Sequence, residues 1–395
     1  MINSYRASFN EQFTIEQYAS FLKELEKGFA KIPFRVAESP VFLPALLKDQ
    51  LIAAGEEIIN LIKAENFKTI TEHSIPAEWN VPNETAHPHF LTFDFGICKD
   101  EEGQLIPKLI EMQGFPSLYG FQSHLAKTFQ QSYDLSKELT PYFNGLNEQS
   151  YLELLKEVIV GQHEPHEVAL MDIDAPHQKT AIDFFLTAKY LGIKVLSLSE
   201  IKQEGNHLYY LEGDKKVILK RIYNRLIFDE IGGNTAIFKD CFDPRTALDI
   251  EWITHPNWFY RISKYTMPFL KSDFVPHTEF LKDLKEIPED LTQYVLKPLF
   301  SFAGMGVIID VQKKDIENIS DPENWILQRK VNYEPVVQAP DGGIKVEIRL
   351  MYLWPEGKEP VLCISLARLS RGKMIGVRYN QDFDWVGGTV GLMEK

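Results

Sequence analysis

Cysteine is scarce in this sequence: 395 residues contain three, Cys98, Cys241 and Cys363, and none forms a C-x-x-C pair. So sparse and odd a set excludes a disulfide framework and a cysteine zinc site, and predicts a reducing, cytoplasmic setting. Long apolar runs are missing too. No stretch of 18 or more apolar residues occurs, so no membrane-spanning helix and no membrane partner are expected. The opening MINSYRASFNEQFTIEQY is polar, and a secretory signal peptide is not expected. There is no G-x-G-x-x-G, which argues against a nicotinamide-binding site. Low-complexity tracts, internal repeats and flexible linkers are absent. Positive charge is in the minority: 42 Lys and Arg against 56 Asp and Glu leave a net charge of −14. Nonspecific nucleic-acid binding is therefore not expected. An acidic protein still binds a nucleotide where its cations are local.

What remains is an ordinary globular composition, long enough for two or three domains. Residues 11 to 65 repeat apolar positions at three and four, which predicts helices. PFRVAESPVF between them reads as a loop, with Arg35 a surface arginine. HFLTFDFGI and LIPKLIEMQ, joined by CKDEEGQ, predict a β-hairpin. His87 and His89 flank Pro88 just before it. With no third ligand nearby, they read as a loop entering a strand. Side chains alternate along a strand, so Glu111 and Gln113 share a face, and Asp94 can meet them from the partner strand. Residues 165 to 230 alternate strand and helix, the start of an open, mostly parallel α/β sheet. Beyond 255, NWFYRISKYTMPFLK reads as helix and YVLKPLFSFAGMGVIIDV as strand, glycine loop, strand. NWILQRKV, GIKVEIRLMYLW and EPVLCISLARLSRGKMIGVRYN read as further strands. Cys98 and Cys363 fall inside such runs and read as buried strand residues.

Lys297 in LKPLFSFAGMGV sits within an apolar strand, just ahead of a run of small residues. Glycines let a ligand approach the main chain, and successive N–H groups there can cradle an anion. A nucleoside triphosphate needs cations, such a cradle and oxygen ligands for Mg²⁺. The C-terminal part offers Lys264, Lys297, the loop 301 to 306, Arg349 and Arg368. No acidic strand pair follows WVGGTVGLMEK; the acids lie far upstream, as Asp94 and Glu111 with Gln113.

KPLFSFAGMGV, then WILQRKV, VEIRLMYLW and ARLSRGKMIGVRYN…VGG, resembles the core of an ATP-grasp enzyme. The acid-bearing strand pair that follows in that superfamily resembles FDFGICKDEEGQLIPKLIEMQ, here placed first. VALMDID…FFLTAKYLGIKVLSLSEI…VILKRIYNRLIFDE is similar to a pre-ATP-grasp domain. Over residues 89 to 395 the chain thus resembles a circularly permuted ATP-grasp protein of the glutathionylspermidine synthase-like type. The resemblance implies an α/β (α+β) fold: a permuted ATP-grasp sheet built from both chain ends, with an inserted Rossmann-like pre-ATP-grasp domain. Residues 1–160 would hold the N-terminal helices and metal-binding hairpin, 161–255 the pre-ATP-grasp domain, and 256–395 the ATP-binding lid and main ATP-grasp part.

The same resemblance implies ATP and Mg²⁺ as cofactors. Lys264 and Lys297 match the lysines on the phosphates. Ser301, Ala303, Gly304 and Gly306 match the flexible phosphate loop. Gln328, Lys330 and Val331 match the adenine hinge, and Asn380 a polar position near the phosphates. Arg349 and Arg368 match basic residues near the γ-phosphate and the activated acyl group. Asp94, Glu111 and Gln113 match the metal ligands, with Gln113 in place of the family's asparagine. The implied activity is carboxylate–amine ligation through an acyl phosphate, with a small-molecule acid and amine as partners. A small-molecule kinase and a non-catalytic binding protein on the same fold stand beside it.

Overall fold

Two apolar runs, Phe90–Lys99 (β2) and Leu105–Gln113 (β3), pair antiparallel as expected. Their turn is fixed by Asp100, whose Oδ1 accepts the Glu102 and Gln104 N–H groups. Gly103 enters it at φ +80, a region glycine reaches without a Cβ clash. In the computed structural model, which describes residues 1–395 except 232–237, 239–240, 301–304, 373–379 and 381, this hairpin forms one edge of the main sheet. Next to β2 lie β16 (Gly342–Leu353), β17 (Val361–Ser370), β18 (Gly387–Glu394) and β1 (Val41–Leu43), in that order. Two short strands, β15 (Val337–Ala339) and β4 (Leu139–Thr140), pair with β16 and β18. Residues 90–113 therefore share a sheet with 342–370, and the sheet draws on both ends of the chain.

β1 corrects the loop expected over PFRVAESPVF. Three residues between Pro40 and Pro44 are too few to show a period, and their partner Gly391–Met393 lies some 350 residues on. Helices α1 (Asn3–Gln12), α2 (Ile15–Leu25) and α3 (Ala45–Ile62) cover this part. Thr14 caps α2 by accepting the Gln17 N–H. Leu47, Leu51, Ala54, Ile58 and Ile62 of α3 enter the main core with Phe93, Phe95, Val346 and Leu350. Each large apolar side chain so buried contributes about 1.5–3 kcal/mol. A Cβ on Gly55 would fall 2.0 Å from the Tyr352 hydroxyl, so this helix reaches β16 only with glycine there.

After α4 (Phe67–Ile70) and α5 (Tyr119–Ser132), α6 (Glu148–Ile159) leads into the expected α/β region. β5 (Val168–Asp172), β6 (Lys194–Ser197), β10 (Arg221–Asn224) and β11 (Glu251–Ile253) form a parallel sheet in the order β11-β10-β5-β6. β5 is buried throughout, as a parallel strand covered on both faces requires. α7 (Ala181–Leu191) lies between β5 and β6 in the chain and ends at Gly192. β7 (Lys202–Glu204), β8 (His207–Glu212) and β9 (Lys215–Leu219) make a separate antiparallel sheet.

A last antiparallel sheet, β12 (Thr278–Phe280), β14 (Trp325–Arg329) and β13 (Tyr294–Pro298), carries Lys297. The strand expected after the glycine loop reduces to one bridge, Leu296 to Ile308. Gly306 turns the chain back at φ +73, and Ile308 exchanges both its backbone bonds with Leu296 before the chain leaves. The helix expected over NWFYRISKYTMPFLK is likewise broken. α8 (Asn257–Arg261) stops, Ser263 caps a new start at Tyr265 N, and Lys264–Phe269 forms a 3-10 turn. Among the described residues no helix is long and apolar enough to cross a membrane.

Candidate functional site

Register brings the charged residues together. Asp94 on β2 stands opposite Glu111 on β3 and opposite Arg349 on β16. Glu347, two residues before Arg349 and on the same face, stands opposite Arg368 on β17. Four adjacent strands thus present Glu111, Asp94, Arg349 with Glu347, and Arg368 in a row. Arg349 grips Asp94 with two bonds, Nε to Oδ1 and Nη2 to Oδ2, both 2.6 Å. Arg368 Nη2 reaches Asp94 Oδ2 at 2.5 Å and Glu347 Oε1 at 2.7 Å.

Burial and neighbouring charge set the ionisation of Asp94, Glu347 and Arg368. Burial pushes the Asp94 carboxyl up, but Arg349 and Arg368 outweigh it and hold Asp94 below its ordinary value. For Glu347 burial wins over Arg368, with Asp94 adding repulsion, and its carboxyl is raised. Burial alone would lower Arg368, yet Asp94 and Glu347 raise it. Tyr333 donates to Glu347 Oε2 at 3.2 Å. Its ring lies over Gly96, where a Cβ would come within 2.6 Å of it.

Lys297 approaches from the other sheet. β3 carries a bulge here: Leu109 pairs with Phe95 and Glu111 with Asp94, leaving Ile110 without a partner on β2. The Lys297 ammonium donates to the Ile110 carbonyl at 3.1 Å. It is 8 % exposed, and burial, aided by the neighbouring Lys264 charge, lowers its pKa to about 8 against the pull of Glu111 and Glu347. Lys264 is buried at the start of the 3-10 turn. Gln113 Nε2 lies 3.3 Å from Glu111 Oε1, so the two share a face as expected.

Other expected positions lie further out or are otherwise engaged. Gln328 is buried in the middle strand β14, its backbone paired with both Thr278 and Val295. Its amide meets Thr278 Oγ1 at 3.2 Å. Lys330 has left the strand and bonds Gln293 O through its N–H. Val331 packs toward Gly96, 3.1 Å from a Cβ placed there. Asn380 Oδ1 accepts from Arg371 N, Gly372 N and Ser370 Oγ at 2.9–3.0 Å, which ties residue 380 to the end of β17. Ser301, Ala303 and Gly304 lie outside the described residues. At Gly306 a Cβ would meet Pro298 Cγ at 2.9 Å, so glycine is required by space as well as by φ.

Arg35, expected at the surface, instead joins two loops. It pairs with Glu38 and with Asp384 at 3.2 Å, and its Nε donates to Val386 O. His87 and His89 do lie on a segment entering β2; one stacks on Trp354 and the other bonds Glu356. Sequence reasoning missed Glu347 and Tyr333. A lone acid two residues before Arg349 in an apolar strand was the available signal for Glu347. Tyr333 left none, because its loop reaches Glu347 only through tertiary folding.

No protein-family model and no curated protein matches this sequence. Among solved structures, the chain is similar to a glutathione synthetase-like effector from Globodera pallida in its apo form. The TM-score is 0.60, 96% of each chain is covered, and the identity is 10%. The fold is ATP-grasp-like. In this ATP-grasp-like chain the charged row lies on the main sheet and Lys297 on the small one, with the Ile110 carbonyl joining them.

Proposed function

We propose that this chain is an ATP- and Mg²⁺-dependent carboxylate–amine ligase of permuted ATP-grasp architecture. One observation carries the reading: Lys297, buried and lowered to about 8, faces Glu111 beside Arg349 and Arg368 on an ATP-grasp-like sheet. A lysine held there with no carboxylate paired to it among the described residues is poised for an anionic ligand. Lys297 and Lys264 hold ATP phosphates. Arg368, a third exposed, turns to the transferring phosphoryl group, while Arg349 stays fixed on Asp94. A carboxylate oxygen of the acid attacks the γ-phosphorus and ADP leaves. The amine nitrogen then attacks the acyl carbon, phosphate leaves, and the amine proton passes to solvent. The residues position reactants and stabilise charge.

The donor set fits a hard cation in part. Glu111 and Gln113 offer oxygens on one face, whereas both Asp94 oxygens already accept from guanidiniums. Among the described residues no three His, Cys, Asp or Glu are placed to hold a metal by themselves. Mg²⁺ typically uses one or two carboxylates and lets phosphate oxygens complete its shell. Glu111 with Gln113 would hold it, and Asp94 joins only where a guanidinium lets go. Bound there, Mg²⁺ supplies neutralisation of the phosphate charge. The closure of Asp94 also favours a second reading, a non-catalytic nucleotide-binding protein.

Calorimetry separates these. The ligase reading expects ATP binding that needs Mg²⁺ and weakens in Glu111→Ala, with ADP released when an acid and an amine are supplied. Binding indifferent to metal and to Glu111 would remove it. Formation of a phosphorylated alcohol instead of an amide would mark a kinase.

pH offers an independent check. Below about 8 Lys297 is charged in both folded and unfolded chains, and its burial cost is fully present. Between about 8 and 10.5 the folded protein releases the proton first, so the Lys297 contribution to stability rises with pH. Phosphate affinity moves the opposite way. ATP binding should weaken as pH climbs through this window, and the step should vanish in Lys297→Met. An unchanged affinity across the window in the native protein would show that Lys297 does not meet the phosphates.

A further inference from the structure

Strand β18 carries three glycines, and the fold itself explains two of them. Gly387 stands at φ +123, and a Cβ there would lie 2.5 Å from the Arg35 carbonyl oxygen. At Gly391 a Cβ would lie 2.6 Å from Ser365 Oγ. Gly388 is different. It lies outside the positive-φ region, and among the described residues a Cβ on it would meet nothing closer than the Arg35 oxygen at 3.9 Å. No bulge interrupts its pairing with β17. Glycine inside a strand weakens it, and where neither φ, space nor a bulge demands one, it often marks close approach by a ligand.

Register fixes the direction in which that open space faces. Gly388 stands directly opposite Arg368, which stands directly opposite Glu347. Residues directly opposed across antiparallel strands share a face. Gly388 therefore extends the charged row by one strand, beyond Arg368. Both edges of its backbone are occupied. It pairs with β17 on one side, and on the other its N–H donates to Arg35 O while its carbonyl accepts from Ala37 N. Gly388 is nevertheless only half-buried, so its exposure is through a face. Arg368 beside it is a third exposed.

The order of the row gives this bare floor a use. Lys297 and Glu111 stand at the β3 end, where the nucleotide of the ligase reading enters from the small sheet, and Arg368 stands at the other. A γ-phosphate that reaches Arg368 has Gly388 as the next surface along the row. The geometry points to Gly388 as a specificity-determining residue. The acid whose carboxylate attacks the γ-phosphorus lies over it, with its chain against backbone and residues 35–37 as the far wall. A side chain at 388 would fill the volume that the acyl group takes. This inference rests on the ligase reading and deepens it by naming the acid subsite.

The test uses the full chain, Mg²⁺, ATP and the n-butyl ester of ATP at its γ-phosphate, which hangs a chain from the γ-phosphorus as the acyl phosphate does. Calorimetry should find that both bind the native protein. Gly388→Val should leave ATP affinity as it is and weaken the ester about tenfold or more, the size expected when a packed contact is overfilled. Gly388→Ala should act in the same direction to a smaller degree. The urea midpoint should hold or rise in both variants, because the new Cβ enters open space and strand propensity improves. If Gly388→Val should fail to fold, Gly388→Ala decides. A fallen midpoint in Gly388→Ala would make the glycine a structural requirement and overturn the inference. So would an ester affinity equal in native and variant chains, a loss of ATP and ester alike, or a native chain that takes ATP but rejects the ester. Each of these leaves the ligase reading standing. A native chain that binds no ATP with Mg²⁺ would overturn both.

Discussion

On the ligase reading, replacing Lys297 with methionine should cut ATP-dependent turnover by on the order of 10²–10³-fold, while leaving the protein as stable or more so. The two effects run in opposite directions for one physical reason. The ammonium is buried with a single carbonyl bond to Ile110, and burial lowers its pKa to about 8. A pKa lowered on folding means that the charge costs stability at neutral pH. Methionine fills similar space without that charge. A residue kept for structure alone would lose stability on replacement. Turnover with acid and amine, together with the midpoint of urea denaturation, checks both halves. Unchanged turnover would detach Lys297 from the reaction, and a large loss of stability would make it a structural lysine.

The second large effect concerns Asp94. Asp94→Ala would leave Arg349, 6 % exposed, without its bidentate partner and Arg368 with Glu347 alone. Removing one side of a buried ion pair typically costs about 3–5 kcal/mol, because the surviving charge remains desolvated. Chemical denaturation should show a loss of that size. Glu347→Gln should cost less, since burial already raises its carboxyl toward the neutral form. The pH dependence follows from the sign of the Asp94 shift. Its carboxyl is held below the ordinary 3.8, so its stabilisation is present near neutrality and is lost as pH falls through the lowered value. Asp94→Ala should therefore flatten the acid side of the stability profile. A loss under about 1 kcal/mol would mean the pair behaves like an exposed one.

Local chemistry made much of the fold legible in advance. The β2–β3 hairpin carries its own turn signal, and the alternating region 165–230 carries two periods, so both could be read without their partners. The same holds for the shared face of Glu111 and Gln113, which follows from strand alternation alone. β1 was hidden because three residues between prolines show no period and its pairing is with residues at the far end of the sequence. The helix expected through Lys264 failed because Ser263 restarts the backbone, a capping effect that overrides an apolar pattern. Within the candidate site, residue types pointed to Asp94, Arg349 and Arg368 singly. That these residues close on one another was not legible, because cross-strand register between β2, β16 and β17 depends on distant pairing. The Ile110 carbonyl was invisible for a different reason: a bulge re-aims backbone, and backbone has no letter in the sequence.

The position of β18 has a consequence for how the molecule is made. Residues 387–394 lie inside the sheet, between β17 and β1, not at its margin. On the ribosome, β1 and the β2–β3 hairpin emerge long before the three strands that separate them in the sheet. Until then β2 offers one bare edge, and the helices over it cover an unfinished surface. Such long-range pairing slows folding and prolongs exposure of unpaired edges. The N-terminal strands cannot complete their sheet until β16, β17 and β18 have been synthesised.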